Sequence, residues 1–218
     1  MGLEERFLRQ MDICPPDKLA FPITVIGAGA IGSYAVCALA KMGCSKITVW
    51  DHDILQEHNI SNQCCRQDTM GMAKVDALQQ LVEELAGLTI STKNQRYRGQ
   101  RLEGLVVSAV DSMDARQEIW KRVRFNAAVP LLVDPRMGAE FARIYAIRPT
   151  DPDQVDFYEA NLHSSKEAEP LPCGGRSIIY CPMIAGAFVA LLVKKYAMGQ
   201  AAPKEILFDL SGLCLLTS

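Results

Sequence analysis

A glycine-rich turn between an apolar run and a helical pattern restricts the fold of this chain more than any other feature. Residues 23–26, ITVI, are followed by Gly27, Gly29 and Gly32 in the spacing G-x-G-x-x-G. In this pattern the first glycine makes a tight turn, the second lets a phosphate approach the backbone, and the third lets the helix pack closely on the sheet. The spacing therefore predicts a strand, a turn and a helix around a phosphate group.

The helix predicted from about Ala30 points its free N–H groups and the positive end of its dipole at that phosphate. A second apolar strand, residues 47–50, leads into the sequence DHD, so Asp51 and Asp53 stand at its tip. A carboxylate at this position can accept hydrogen bonds from ribose hydroxyls. We interpret residues 23–53 as a nucleotide site.

Strands and helices continue to alternate after this stretch. Apolar periodicity predicts helices over 73–85, 113–125 and 182–196, strands over 89–97, 105–110, 130–133 and 142–147, and a final hairpin from EILFDL and LCLLTS. Such alternation predicts an α/β fold with a Rossmann-like, doubly wound, mostly parallel sheet, helices on both faces and antiparallel strands at the C-terminal edge. Because ligands bind at the carboxyl ends of such strands, Asp111, which follows the strand at 105–110, is expected near the glycine turn.

The length and composition favour one domain over residues 1–218. Residues 1–20 are expected to form an N-terminal helical arm that Pro15 and Pro16 end. Residues 149–176 are rich in proline, acidic and small residues without a sustained period, and they predict a long crossover loop on the surface.

The bulk numbers describe an ordinary globular chain, with 49% hydrophobic and 22% charged residues and a net charge of -2. This charge gives no basic field for nucleic acid. The N-terminus lacks the apolar core of a signal peptide, and the apolar run at 181–193 is too short to span a bilayer, so a soluble, cytoplasmic protein without membrane contact is expected. The eight cysteines form no C-x-x-C pair, and no structural zinc is expected.

Seven motifs occur in one order along the chain: ERFLRQ, VIGAGAIGS, WDHD, EHNISNQ, MGMAK, SAVDSMDAR and CPMIAG. In this order the chain resembles the ThiF/MoeB/ubiquitin-activating-enzyme family of adenylyltransferases. The resemblance implies that ATP and Mg²⁺ activate the C-terminal carboxylate of a small ubiquitin-like or sulfur-carrier protein, with release of pyrophosphate. It also implies a homodimer.

The resemblance assigns roles to particular residues. Asp51 would bind ribose, with Asp53 beside it, and Lys74 would contact the phosphates. Asp111 would hold the metal, and Arg9 would reach the phosphate site of the partner in a dimer. Residues alone leave simpler interpretations open: Asp111 could cap the following helix, Lys74 could be a solvated first-turn lysine, and Arg9 could be one more basic residue on a surface helix.

Four further positions carry the comparison with the family. Asn59 and Gln63 correspond to nucleotide-contacting residues, and Ala30 stands where the family usually has a glycine. Asn62 stands where the family has an arginine, so the phosphates would lack one cation unless Arg66 supplies it.

Cys173 corresponds to a loop cysteine that takes the activated acyl group in some family members. A thiolate nucleophile needs exposure and a lowered pKa. Its alternative is a spectator loop cysteine.

The residues are also compatible with two other functions. An NAD-dependent oxidoreductase would use the glycine turn and Asp51 but would leave Arg9, Lys74 and Asp111 without a role. A degenerate, non-catalytic nucleotide-binding member of the family would explain the missing arginine at Asn62.

Overall fold

A computed structural model of the protein describes residues 3–162 and 177–218. The strands are β1 (Ile23–Ile26), β2 (Ile47–Asp51), β3 (Ser91–Asn94), β4 (Leu105–Ser108), β5 (Leu132–Gly138), β6 (Phe141–Ile147), β7 (Glu205–Asp209) and β8 (Cys214–Thr217). The helices are α1 (Leu3–Arg6), α2 (Ala30–Met42), α3 (Lys74–Ala86), α4 (Met113–Val123), α5 (Pro152–Glu159) and α6 (Tyr180–Ala197), and short 3₁₀ turns link some of these elements.

The strands form one eight-stranded sheet in the order β3-β2-β1-β4-β5-β6-β7-β8. Strands β1 to β5 are parallel, and β6, β7 and β8 add to them in antiparallel pairs. This confirms the predicted fold class. The chain leaves β1 toward one side of the sheet and returns to place β4 on the other side, so the topological switch point lies at the carboxyl ends of β1 and β4.

The buried apolar side chains lie between the sheet and the helices that cover its two faces. Strand β4 is buried at all four positions, as expected for a parallel strand covered on both faces. On one face α2 and α6 pack so closely that a Cβ atom added at Gly186 would lie 2.8 Å from the Cβ of Tyr34. On the other face Trp120, Tyr145 and Tyr158 form a second core with α4 and α5.

Helix α6 contains the apolar run that was predicted to be too short for a membrane span. At 18 residues the helix is long and apolar enough to cross a membrane by length and composition alone. It packs against α2, β5 and β6, and Cys181, Val189 and Leu192 are among its buried residues. In this fold α6 acts as a core helix.

The stretch 149–176, predicted as a loop, begins with a helix. Asp151 caps α5 by accepting hydrogen bonds from the backbone N–H groups of Asp153 and Gln154, and Val155 and Tyr158 are buried. A helix of eight residues is too short to show a sustained period, which is why the sequence pattern missed it. Residues 163–176 lie outside the described part of the chain.

The N-terminal arm binds at the far end of two helices. Gln10 Nε2 donates to the carbonyl oxygen of Met42 at 2.8 Å, where α2 ends, and Arg6 donates to the carbonyl oxygen of Ala86 at 2.8 Å, where α3 ends. Since α2 has 13 residues, its two ends are roughly 20 Å apart. The arm therefore lies away from the glycine turn of its own chain.

Candidate functional site

A cavity of about 410 Å³ opens at the carboxyl ends of β1, β2 and β4, which is within the range of roughly 300–1,000 Å³ typical of small-molecule sites. It is lined by Ile26, Gly27, Gly29, Trp50, Asp51, His52, Asp53, Lys74, Arg96, Tyr97, Ala109, Val110, Asp111, Ser112, Ala115 and Ile119. The predicted neighbours Gly27, Asp51 and Asp111 thus share one cavity.

The three glycines of the turn meet different surroundings. Gly27 has φ +101°, and a Cβ there would lie 2.3 Å from the carbonyl oxygen of Ala109; a Cβ at Gly32 would lie 2.0 Å from the carbonyl oxygen of Gly27. A Cβ at Gly29 would meet nothing within 4 Å. Gly29 also precedes α2, which begins at Ala30 without a side-chain cap, so its first N–H groups remain available. Gly27 and Gly32 therefore allow close packing of the backbone, whereas Gly29 opens toward the cavity.

Asp51 is held in place by the backbone. Its Oδ2 accepts from the N–H of Ala28 at 2.7 Å, and its Oδ1 accepts from the N–H of Asp53 at 2.9 Å. Each carboxylate oxygen can accept a further hydrogen bond. The aspartate is therefore oriented before any ligand binds.

Lys74 begins α3 and reaches the same cavity. Its Nζ lies 2.8 Å from Asp53 Oδ2, and its backbone N–H donates to the carbonyl oxygen of Asp53 at 2.9 Å. The hydrogen bond from Lys74 lowers the pKa of the Asp53 carboxyl group. The Lys74 side chain is only 11% exposed, so the structure does not support a solvated surface lysine.

Asp111 follows β4, is exposed and lines the cavity. The helix-capping role belongs to its neighbour Ser112, whose Oγ accepts from the N–H of Ala115 at 3.3 Å. Within residues 3–162 and 177–218, Asp111 has no hydrogen bond or ion pair. An exposed carboxylate of this kind fits the oxygen ligands that Mg²⁺ prefers.

Arg116 supports the loop that carries Asp111. Its guanidinium is buried, donates to the carbonyl oxygen of Ser108 at 3.1 Å and contacts the carbonyl oxygen of Val110 and the carboxylate of Asp134. The backbone directly before Asp111 is therefore fixed from behind. Arg116 ends the motif SAVDSMDAR but is not among the site residues that the sequence predicts.

Arg66 lies outside the cavity lining. Its Nε donates to Asp68 Oδ1 at 2.8 Å, and its other guanidinium nitrogens pair with Asp68 and Glu84. These two carboxylates raise the pKa of Arg66 and hold its charge on the surface. In this structure the Arg66 guanidinium is therefore held by surface carboxylates and not by the cavity, and its predicted role at the phosphates stays a prediction.

Asn59, Asn62 and Gln63 also lie outside the cavity lining. Asn59 is buried and its Oδ1 accepts from the N–H of Gln56 at 2.9 Å, so it stabilises a turn. Asn62 Nδ2 lies 3.2 Å from Ser177 Oγ, and Gln63 is 9% exposed. Asn59 therefore stabilises the segment between β2 and α3, and Asn62 links this segment to Ser177.

Two predicted residues are not tested by this cavity. Arg9 is exposed on the N-terminal arm and does not line the cavity, and its neighbour Gln10 binds the end of α2 that lies away from the glycine turn. Cys173 lies outside the described residues.

Arg96, Tyr97 and Ile119 line the cavity but belong to none of the sequence motifs, and Trp50 lines it as the first residue of the motif WDHD. The rings of Trp50 and Tyr97 meet edge to face at 5.8 Å, and burial raises the pKa of Tyr97 to about 12. The Tyr97 hydroxyl donates to the carbonyl oxygen of Gln100 at 2.6 Å. The signal that could have found them is topological, because β3 runs parallel to β2 and ends at the same sheet edge.

Curated relatives match this chain at moderate identity. Ubiquitin-like modifier-activating enzyme 5 of Arabidopsis thaliana is 31% identical over 122 residues, and adenylyltransferase and sulfurtransferase MOCS3 of Anopheles gambiae is 29% identical over 115 residues. The matched regions cover 45% and 52% of this chain but only 28% and 26% of those proteins. The tRNA threonylcarbamoyladenosine dehydratase of Haemophilus influenzae is 26% identical over 189 residues, which cover 81% of this chain and 67% of that protein.

Solved structures share the fold. MccB of E. coli, crystallised with ATP, superposes with a TM-score of 0.73 at 16% identity over 93% of this chain and 65% of that chain. The E. coli tRNA N6-threonylcarbamoyladenosine dehydratase, TcdA, superposes with a TM-score of 0.70 at 18% identity over 90% of this chain and 95% of that chain.

The family model of the ThiF family matches residues 18–199, which include the glycine turn, Asp51, Lys74 and Asp111. The chain belongs to the ThiF family.

Proposed function

We propose that this protein uses ATP to adenylate the C-terminal carboxylate of a small ubiquitin-like or sulfur-carrier protein. One observation carries the proposal: the open glycine turn, Asp51, Lys74 and Asp111 line a single cavity at the switch point of a ThiF-family sheet. A dinucleotide-dependent oxidoreductase would have no use for Lys74 and Asp111.

In this reaction a carboxylate oxygen of the partner attacks the α-phosphorus of ATP, the bond from that phosphorus to the bridging oxygen breaks, and pyrophosphate leaves. The attacking carboxylate is already ionised at neutral pH, so no general base is needed. Catalysis then depends on positioning and on stabilising charge on the phosphates.

The residues of the cavity divide this work. Gly29 and the first N–H groups of α2 receive phosphate oxygens, and Asp51 orients the ribose through its free lone pairs. Lys74 supplies a positive charge that Asp53 holds in position until the nucleotide binds. Asp111 would hold Mg²⁺, which supplies further positive charge to the phosphates.

The partner is proposed from the relatives. One relative is named a ubiquitin-like modifier-activating enzyme, and another an adenylyltransferase and sulfurtransferase. We propose a homodimer on analogy with the family, in which the arginine that Arg9 matches reaches the phosphate site of the partner, and the position of the arm at the far end of α2 supports this proposal. Cys173 is the proposed acceptor if the acyl group moves to the enzyme.

ATP–pyrophosphate exchange with candidate carrier proteins tests the proposal. Wild type is expected to exchange, Asp111→Asn to lose at least about 100-fold, and the exposed Asp156→Asn to retain exchange, since loss of one charge-stabilising group costs roughly 10²–10³ in rate. Tight NAD binding without exchange would contradict the proposal.

A non-catalytic member of the family is the second candidate, because Asn62 replaces the family arginine and Arg66 is bound to Asp68 and Glu84. ATP binding that depends on Asp111, without exchange for any carrier, would favour this candidate.

A further inference from the structure

Two cysteines that the proposed reaction does not use face each other beside the glycine turn. Cys37 lies in α2 and is 8% exposed, and Cys64 lies half-buried in the segment between β2 and α3. Their Sγ atoms are 3.6 Å apart. A disulfide bond requires a separation of about 2.05 Å, so the two sulfur atoms must move closer together before the bond forms.

The backbone holds Cys64 against this face of the helix. The N–H of Cys64 donates to Ser33 Oγ at 2.9 Å, and Ser33 lies one helical turn before Cys37. Both the backbone and the thiol of Cys64 therefore dock on the same face of α2. The two thiols meet as a result of the fold and not by chance approach of mobile loops.

The chemical environment makes the two sulfur atoms unequal. Cys37 donates to Cys64, which lowers the pKa of Cys64 and raises the pKa of Cys37. The thiolate is the form that reacts with oxidants. Cys64 is also the more accessible of the two, because Cys37 is buried in the helix interface.

We propose that Cys37 and Cys64 form a peroxide-sensitive pair, in which Cys64 is oxidised first and Cys37 resolves it to a disulfide bond between α2 and the segment that follows β2. The proposal does not depend on the adenylation reaction. It rests on the distance, the shared helix face and the accessibility of one sulfur.

The reaction takes two steps and needs a hydroperoxide as its oxidant. The Cys64 thiolate attacks one peroxide oxygen, an S–O bond forms, the O–O bond breaks, and hydroxide leaves and takes up the thiol proton as water. The Cys37 sulfur then attacks the Cys64 sulfenic acid, an S–S bond forms, the S–O bond breaks, and a second water leaves. In total two thiols and hydrogen peroxide give one disulfide and two waters.

Another pair of cysteines provides the contrast within the same protein. Cys14 and Cys44 are 4% and 1% exposed, and burial raises the pKa of both, that of Cys44 to about 12. A thiol loses about tenfold in thiolate fraction for each unit by which its pKa rises above the ambient pH. Cys14 and Cys44 are therefore expected to stay reduced while Cys64 reacts.

To test the proposal, the full chain carrying Cys173→Ser and Cys214→Ser is treated with hydrogen peroxide. The remaining thiols are then blocked, and the peptides are mapped by mass spectrometry. The expected product is a Cys37–Cys64 peptide that is lost on reduction, with Cys64 reacting at least about tenfold faster than Cys44. A Cys64–Cys65 product, or equal rates at Cys64 and Cys44, would overturn the proposal.

Variants separate the two roles. Cys37→Ser is expected to accumulate Cys64 sulfenic acid that a dimedone probe traps, whereas Cys64→Ser is expected to leave Cys37 unoxidised. Cys65→Ser serves as the matched control and should still form the disulfide. Because Cys37 is buried, Cys37→Ala is measured beside Cys37→Ser, and the peptide map of the parent protein with Cys37 and Cys64 intact decides the proposal even if both variants unfold.

Discussion

Arg116 and Asp134 form a buried ion pair directly behind the candidate site. The Asp134 carboxylate is fully buried and also accepts from Arg136 Nε and from the hydroxyl of Tyr158, both at 2.8 Å. Two guanidinium groups thus share one carboxylate of β5, beside the carboxyl end of β4. The same Arg116 binds the backbone before Asp111, so fold stability and site geometry depend on one cluster.

Loss of the shared carboxylate should be costly. Asp134→Asn leaves the buried Arg116 and the half-buried Arg136 without their counter-charge, and breaking a buried ion pair costs roughly 3–5 kcal/mol in the free energy of unfolding. Urea unfolding measures this loss in the free energy of unfolding. The exposed Asp156→Asn, the matched control, should stay within about 0.5 kcal/mol of wild type. A loss below about 1 kcal/mol for Asp134→Asn would contradict the role of the cluster.

The glycine turn offers two alanine substitutions with opposite outcomes. Gly29→Ala adds a methyl group into open space, so the thermal midpoint should be unchanged while ATP affinity falls by at least about tenfold, since the methyl group blocks the phosphate. Gly32→Ala forces a Cβ against the backbone of Gly27 and should destabilise the fold itself. Calorimetric titration and thermal unfolding distinguish the two. Normal ATP binding by a folded Gly29→Ala would show that no phosphate approaches there.

Lys74 should matter for reaction and not for folding alone. Lys74→Gln removes a positive charge from the cavity, and we expect kcat/KM for pyrophosphate exchange to fall roughly 10²–10³-fold. Lys41→Gln, on the exposed side of α2, should leave exchange within about twofold of wild type. Equal losses in both variants would point to net charge and away from the cavity.

Arg66 is expected to be dispensable for catalysis. Its guanidinium is bound by Asp68 and Glu84 on the surface and does not line the cavity, so Arg66→Ala should change exchange by less than about threefold. Steady-state exchange kinetics at saturating carrier protein measure the effect. A loss near that of Lys74→Gln would mean that Arg66 leaves these carboxylates and turns to the phosphates when ATP binds.

Tyr97 should give the stability an alkaline limit. Burial raises its pKa from an ordinary value near 10 to about 12, so the folded chain holds this proton over a window where the unfolded chain loses it. Stability from Tyr97 is therefore complete below about pH 10 and is lost as the pH rises toward 12, by an amount on the order of 2 kcal/mol. Urea unfolding at about pH 9 and about pH 11.5 should show a smaller decline for Tyr97→Phe than for wild type. Identical declines would mean that Tyr97 titrates normally.

The sequence predicts the sheet, the glycine turn and the acidic strand ends because these depend on local spacing and on the rule that parallel strands end at one edge. It could not predict the position of Arg66, since Glu84 lies 18 residues away and meets it only through the docking of α3. It missed Tyr97 and Arg96 because no motif marks them. Their place in the cavity follows from pairing of β3 with β2, which only the folded sheet shows.

Gln10 binds the N-terminal arm to the last turn of α2, whereas the glycine turn lies at the first turn of the same helix. The glycine turn and the N-terminal arm of one molecule therefore lie at opposite ends of α2. If Arg9 serves a phosphate, it serves that of a neighbour, and a solitary chain holds an incomplete site. Turnover per molecule would then fall on dilution even while every molecule stayed folded.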